Sequence, residues 1–179
     1  MSRPFASLLL WTGLCLLAIP GRCPADAFSE EAVKAAYLHR FAAYVEWPES
    51  ARPANVFTIG VMGPDGVLDQ LRQLLPSINI QGRPAAARTV SSVRDLKGVS
   101  ILYIAPGRLA QARPVIAAAI ERSVLVVTDE ADGLKTGSVI NFIRAGPNIR
   151  FEVSQRAADR SGLKVDAALL GVALRVETR

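Results

Sequence analysis

Two groups of residues have the type and spacing to do chemistry. Asp129, Glu130 and Asp132 cluster directly after the apolar run Val124–Thr128, and Asp65 follows the run Val56–Met62 in the same way. Open α/β sheets bind ligands outside the carboxyl ends of their strands. Gly63, Asp65 and Asp129 are therefore the candidates for holding a small polar or cationic ligand at a sheet edge. The plainer expectation for the acidic cluster is a solvated loop. Gly60, Gly63 and Gly66 stand where a dinucleotide turn would stand. Their spacing is G-x-x-G-x-x-G rather than G-x-G-x-x-G, and no acidic residue lies near position 85 to hold a ribose. A turn that needs a permissive backbone is the better account.

Most enzyme chemistries lack their parts. There is no G-x-S-x-G elbow, no Walker lysine loop and no H-E-x-x-H pair. The single imidazole is His39, and the two cysteines are Cys15 and Cys23. No catalytic residue, metal ligand or cofactor site is expected.

Both cysteines fall in a segment that does not belong to the working protein. Arg3 gives Met1–Ala27 a positive start, and Ala6–Ile19 is an apolar stretch of 14 residues. Pro20 and Gly21 break it, and Ala25-Asp26-Ala27 offers small residues at the positions a signal peptidase reads. A membrane span needs roughly 20 residues, so residues 1–27 read as a cleaved signal peptide and 28–179 as one domain in the periplasm. Cleavage removes Arg3, Arg22 and Asp26 and lowers the formal charge from +5 to +4. It also leaves no thiol. The pI of about 9.7 first suggests nucleic acid. However, Arg83, Arg88, Arg94, Arg108 and Arg113 are scattered without interleaved aromatics. An exported protein rarely meets nucleic acid, and none is expected as a partner.

The elements that position these residues alternate in a β/α manner. Ser29 caps a helix predicted from Glu30 to about Trp47, stopped by Pro48. Val56–Met62, Val99–Ala105 and Val124–Thr128 are short, nearly continuous apolar runs, the pattern of strands covered on both faces. Helices are predicted over Val67–Leu75, Ser92–Lys97 and Leu109–Arg122, with Pro114 either kinking the last or marking its true start. One or two weaker strands fall around Gly82-Arg83-Pro84. Ser138–Arg144 and Ile149–Val153 flank Ala145-Gly146-Pro147-Asn148 as an antiparallel hairpin. Short helices close the chain near Gln155–Arg160 and from about Asp166 to Val176. The expected fold is a three-layer α/β sandwich with a mixed, mostly parallel sheet and a C-terminal antiparallel hairpin.

The first helix stands apart. Nine aromatic residues follow Ala27, and five lie between Phe28 and Trp47. At about 100° per residue, Val33, Tyr37, Phe41 and Tyr44 share a face that Trp47, Ala36, Val45 and Leu38 widen. Arg40 falls near its middle, where it must snorkel, pair with a carboxylate or meet a partner. One expectation is a buried helix with Arg40 paired internally. The other is that Tyr37, Arg40, Phe41, Tyr44 and Trp47 contact a partner protein or a second copy, because aromatics and Arg dominate binding hot spots. His39 lies on the opposite, Ala-rich face and reads as a surface residue.

The sequence resembles the YfiR/HmsC family of small periplasmic proteins. Val33-Lys34-Ala35-Ala36-Tyr37-Leu38 with Phe41 and Val45-Glu46-Trp47-Pro48 carries the most specific part. Ile59–Gly63 with Asp65, Val139–Phe142, Ile149–Val153 and Gly162–Val165 with Leu169-Leu170 extend it across the chain after the signal. The resemblance implies an exported α/β domain, often dimeric. It implies binding to the periplasmic portion of a membrane sensor or diguanylate cyclase, which is held inactive so that cyclic-di-GMP is controlled. Some members sense redox state through disulfides, for which this chain lacks the cysteines after its signal. Trp47, Asn141 and Glu152 match family positions that serve either partner or fold.

Overall fold

The computed structural model describes residues 29–53, 55–64 and 66–178. The signal segment and Asp65 lie outside the described residues. In chain order the elements are α1 (Glu30–Phe41), β1 (Val45–Glu46), β2 (Phe57–Met62), α2 (Val67–Leu74), β3 (Asn79–Ile80) and β4 (Arg83–Thr89). They continue with β5 (Val99–Ile104), α3 (Leu109–Glu121), β6 (Leu125–Thr128), β7 (Ile140–Ala145) and β8 (Asn148–Ser154). The chain closes with α4 (Gln155–Arg160), β9 (Lys164–Val165), α5 (Ala167–Val172) and β10 (Arg175–Glu177).

Eight strands form one sheet in the order β10-β8-β7-β6-β5-β2-β4-β3. The centre is parallel: β4, β2, β5, β6 and β7 all run one way. All six residues of β5 and all four of β6 are buried, as strands covered on both faces require. The hairpin is antiparallel, with Phe142 opposite Phe151, and turns through Gly146-Pro147. Two cores lie on the two faces of the sheet. One packs Ala35, Leu38 and Phe41 of α1 and Leu71 of α2 against Ile59, Tyr103, Val127 and Phe142. The other packs Ala112, Val115, Ile116 and Ala119 of α3 against Leu102, Ile104 and Val126. Helix, sheet and helix make the three layers. Pro114 lies inside α3, which starts at Leu109.

Two boundaries differ from the sequence reading. The first helix ends at Phe41, not near Trp47. Val45-Glu46 instead pairs antiparallel with Lys164-Val165 in a separate two-stranded ribbon. A pairing between segments far apart in sequence overrides local helix propensity there. Trp47 consequently leaves the helix and packs edge-on against Phe57, centroids 5.4 Å apart. The last helix ends at Val172, and Arg175–Glu177 adds a parallel strand beside β8. Arg175 locks that strand by donating from Nε and Nη2 to the two Glu152 oxygens at 2.9 and 3.0 Å. This planar two-point pairing is strong for an exposed site.

The connection after β6 is held by buried polar groups. Thr128 Oγ1 donates to Asn141 Oδ1 at 2.8 Å and lies 2.9 Å from Ser138 Oγ. The Glu130 N–H also donates to Asn141 Oδ1, at 3.3 Å. Gly133 passes so close above this cluster that a Cβ there would overlap Thr128 Oγ1 and Asn141 Oδ1. Neither atom can retreat without breaking its bonds. Gly133→Ala is therefore expected to lower unfolding free energy by about 1–3 kcal/mol, read as a drop in the urea midpoint. Gly171→Ala, in α5 with open space around it, is expected to be neutral or slightly stabilising.

Candidate functional site

Helix α1 lies over the sheet with Lys34, Ala35, Leu38 and Phe41 inward. Ser29 Oγ accepts from the Ala32 N–H at 3.2 Å and starts it. Lys34 is 5% exposed. Its ammonium forms ion pairs with Asp129, just after β6, and with Glu30 one turn back at 2.6 Å. The Tyr103 hydroxyl donates to the same Asp129 oxygen at 3.1 Å. Glu30 in turn pairs with Arg144 of β7. A chain of charges thus runs Arg144–Glu30–Lys34–Asp129 and fixes α1 across the strand ends.

The other side of α1 is open. Ala32, Val33, Ala36, Tyr37 and Arg40 line a shallow groove of about 350 Å³. Val33 and Tyr37 also wall a cleft of about 690 Å³, closed opposite by Arg144, the hairpin residues Pro147–Phe151 and Val172. The two depressions form one continuous surface. An aromatic cluster lies beneath it. Tyr37 stacks on Phe41 at 5.8 Å between centroids and meets the edge of Phe151 at 5.6 Å. Phe41 and Phe151 meet edge-to-face at 5.1 Å, and Phe142 closes the cluster. Val172 stands out at the rim, 57% exposed.

The residues expected at a partner surface therefore divide. Phe41 and Trp47 are core residues, 1% and 4% exposed, out of a partner's reach. Tyr37 is half-buried with one edge in the groove. Arg40 is exposed and makes no ion pair with a described residue, so it is neither central to a buried face nor internally paired. Tyr44 is exposed, but lies past the helix end beside a separate small depression with Lys164 and Asp166.

The ligand candidates also divide. Gly63, at φ +107°, ends β2 where a Cβ would press on Arg108 Cγ and Ala105 Cβ. It lines a cleft of about 660 Å³ with Thr89, Ser91 and Arg108, and Asp129 is not part of it. The Asp129 carboxylate faces Lys34 and Tyr103 instead. The helical wheel missed Lys34 because it weighed apolar residues only. The available signal was the Glu30–Lys34 spacing of i, i+4 on the first helix.

His39 is half-buried rather than on the surface, and its Nδ1 has no hydrogen-bond partner among the described residues. Burial and then the adjacent Arg40 charge hold its pKa below the usual histidine value. The folded state therefore binds that proton less readily than the unfolded chain. Stability contributed by neutral His39 is present above the unfolded pKa, about 6.5, and is lost as pH falls below it.

These features define an α/β sandwich with an open groove between its first helix and the C-terminal hairpin. The YfiR/HmsC-like family profile matches residues 31–174, and the chain belongs to that family of periplasmic regulatory proteins. Among solved structures, it is similar to a conserved domain protein from Vibrio cholerae O1 biovar El Tor, at 13% identity and a TM-score of 0.56. The match covers 83% of this chain and 60% of the Vibrio chain, and shows the fold. A second similarity is to the ABC domain in complex with L-Trp from Streptococcus pneumonia, at 11% identity and a TM-score of 0.47. That match covers 67% of this chain and 55% of the other. No curated protein matches. Among the described residues, no helix is long and apolar enough to cross a membrane.

Two outcomes test this geometry. Lys34→Met should destabilise the fold by about 3 kcal/mol, because Asp129 and Glu30 lose their counter-charge. Combining it with Asp129→Asn should cost less than the sum of the two, read as coupling in a double-mutant cycle by urea denaturation. Separately, thermal midpoints should fall as pH drops from 7 toward 5, and His39→Asn should flatten part of that slope.

Proposed function

We propose that the protein is a non-enzymatic periplasmic regulator that binds the periplasmic portion of a membrane signalling protein and holds it inactive. The family points to a diguanylate cyclase as that protein, with cyclic-di-GMP output as the controlled quantity. The observation that carries the reading is the open groove on α1. Half-buried Tyr37, an exposed Arg40 that makes no ion pair with a described residue, and the exposed apolar Val172 on the opposite rim together suit a protein contact. Tyr37 and Arg40 are the contacts on the helix wall, and Val172 is the contact on the opposite rim. Repression needs no chemistry. A regulator that contacts the inactive arrangement more strongly than the active one shifts the population by that difference in affinity.

The test is a pull-down of residues 28–179 from membranes of the source cells, with cyclic-di-GMP measured in a strain lacking the protein. A cyclase should be recovered, and cyclic-di-GMP should rise in that strain. Arg40→Ala should weaken recovery by about tenfold or more while leaving the thermal midpoint nearly unchanged. Tyr37→Ala should weaken recovery as strongly while also lowering the midpoint, because its ring packs on Phe41, Phe142 and Phe151. Wild-type recovery by both variants would move the interface elsewhere. Failure to recover any membrane sensor, with unchanged cyclic-di-GMP, would overturn the reading.

A further inference from the structure

At the opposite end of the sheet lies a cleft of about 990 Å³, larger than either depression beside α1. It opens where β2 and β5 begin, and the residues leading into β6 complete it. Arg52, Arg88, Arg94, Lys97 and Arg122 line it, with Ser100 among the strand residues. Among the described residues, no aspartate or glutamate lines it. Glu49, Asp95 and Glu121 each adjoin a lining residue in sequence without lining the cleft themselves, and Asp95 is engaged in its own turn. It accepts from the Ser91 and Ser92 N–H groups at 2.9 and 2.8 Å and from Ser92 Oγ at 3.1 Å, closing the turn before β5.

The five cations are not equivalent. Arg88 donates to the Lys97 carbonyl, and Arg122 donates to the Val93 carbonyl at 3.1 Å. These two bonds hold the turn Val93–Leu96 in place and shape the wall. Neither guanidinium forms an ion pair with a described residue, although the Asp95 carboxylate lies near enough to Arg88 for their charges to interact. Arg52, Arg94 and Lys97 are exposed, and none forms an ion pair with a described residue. Elsewhere Arg144, Arg156, Arg175 and Lys135 each face a carboxylate. In this cleft, by contrast, five cations without an ion pair to a described residue share one concave wall.

We propose that this cleft is an anion-binding site for a ligand carrying two or more phosphate groups. Like charges crowded in one concave wall repel, and an entering polyanion relieves that repulsion. Four of the five cations are arginines, whose planar fork matches phosphate oxygens two at a time. The cleft has room for several phosphate groups, not one ion alone. The shared chemistry is a phosphate cluster, supplied either by a soluble oligophosphate or by the headgroups of an anionic lipid. The site lies away from the α1 groove and is independent of the partner proposed for it.

The experiment uses residues 28–179 and two arms. Pyrophosphate and tripolyphosphate are titrated calorimetrically, with inorganic phosphate for comparison. Vesicles of phosphatidylcholine, with and without phosphatidylglycerol, are tested by co-sedimentation. The cleft variant is Arg52→Ser/Arg94→Ser/Lys97→Ser, which touches neither shaping bond. An equal-charge control is Arg72→Ser/Arg113→Ser/Lys135→Ser, away from the cleft. Binding should tighten from phosphate to tripolyphosphate, weaken with salt, and fall about tenfold or more in the cleft variant alone. Binding of the soluble anions supports a soluble ligand; binding of anionic vesicles alone supports a lipid headgroup. No binding in either arm, or equal loss in the control, would overturn the proposal. The single reversal Arg94→Glu gives the same reading if the triple variant is poorly folded.

Discussion

The structure hangs on one buried ion pair. Lys34 reaches from the underside of α1 to Asp129 at the end of β6, and its side chain is almost wholly removed from water. Removing two charges from water costs several kcal/mol per ion, so such a pair adds little net stability by itself. Its consequence is positional. With Lys34 displaced, Asp129 and Glu30 would both lose their counter-charge, so alternative placements of α1 are penalised. Glu30 extends the constraint outward, since it meets Lys34 on one side and Arg144 on the other. Helix, parallel core and hairpin are tied at one point, and the groove between helix and hairpin takes its width from that tie.

The aromatic cluster completes what the charges begin. Tyr37 and Phe41 come from the helix, Phe142 and Phe151 from opposite strands of the hairpin. Rings in offset and edge-on contact add specificity beyond their buried area. They also explain why one helix can be both core and surface. Phe41 points down into the cluster, while Tyr37, one turn earlier, covers it and keeps one edge in the groove. Asn141 and Glu152 act on the same scale. Asn141 holds the β6–β7 connection, and Glu152 holds β10 through Arg175. Both are explained by the fold alone.

Much of this was legible in the sequence wherever structure is dictated locally. Val99–Ile104 and Leu125–Thr128 are apolar throughout because both their faces are covered, and the hairpin shows in its turn residues. The end of α1 was not legible. Ala42 to Glu46 continues a helical pattern, and only pairing with Lys164-Val165, more than a hundred residues later, pulls it out. β10 was hidden for the same reason, since three residues held by a neighbour carry no periodicity. The site divided along the same line. Tyr37 and Arg40 were placed correctly on α1 because both lie within the true helix. Tyr44 and Trp47 were assigned to its face by extending a period that had already stopped.

The positions of the two surfaces limit how they can work together. The α1 groove lies at the carboxyl ends of the parallel strands, and the basic cleft at their amino ends. Between them run β2, β5 and β6, nearly or wholly buried and close-packed on both faces. Packed interiors of this kind do not deform continuously. Occupation of the basic cleft is thus poorly placed to reshape the groove through the sheet. A rigid body can still couple its two ends by orientation. If the amino end is held on a phosphate-bearing surface or ligand, the groove at the other end faces away from it with a restricted set of directions. Tethering of this kind raises the effective concentration of the second contact only when its geometry can be reached. In this fold the strand axes set that geometry, and the Lys34–Asp129 pair sets where the groove lies upon it.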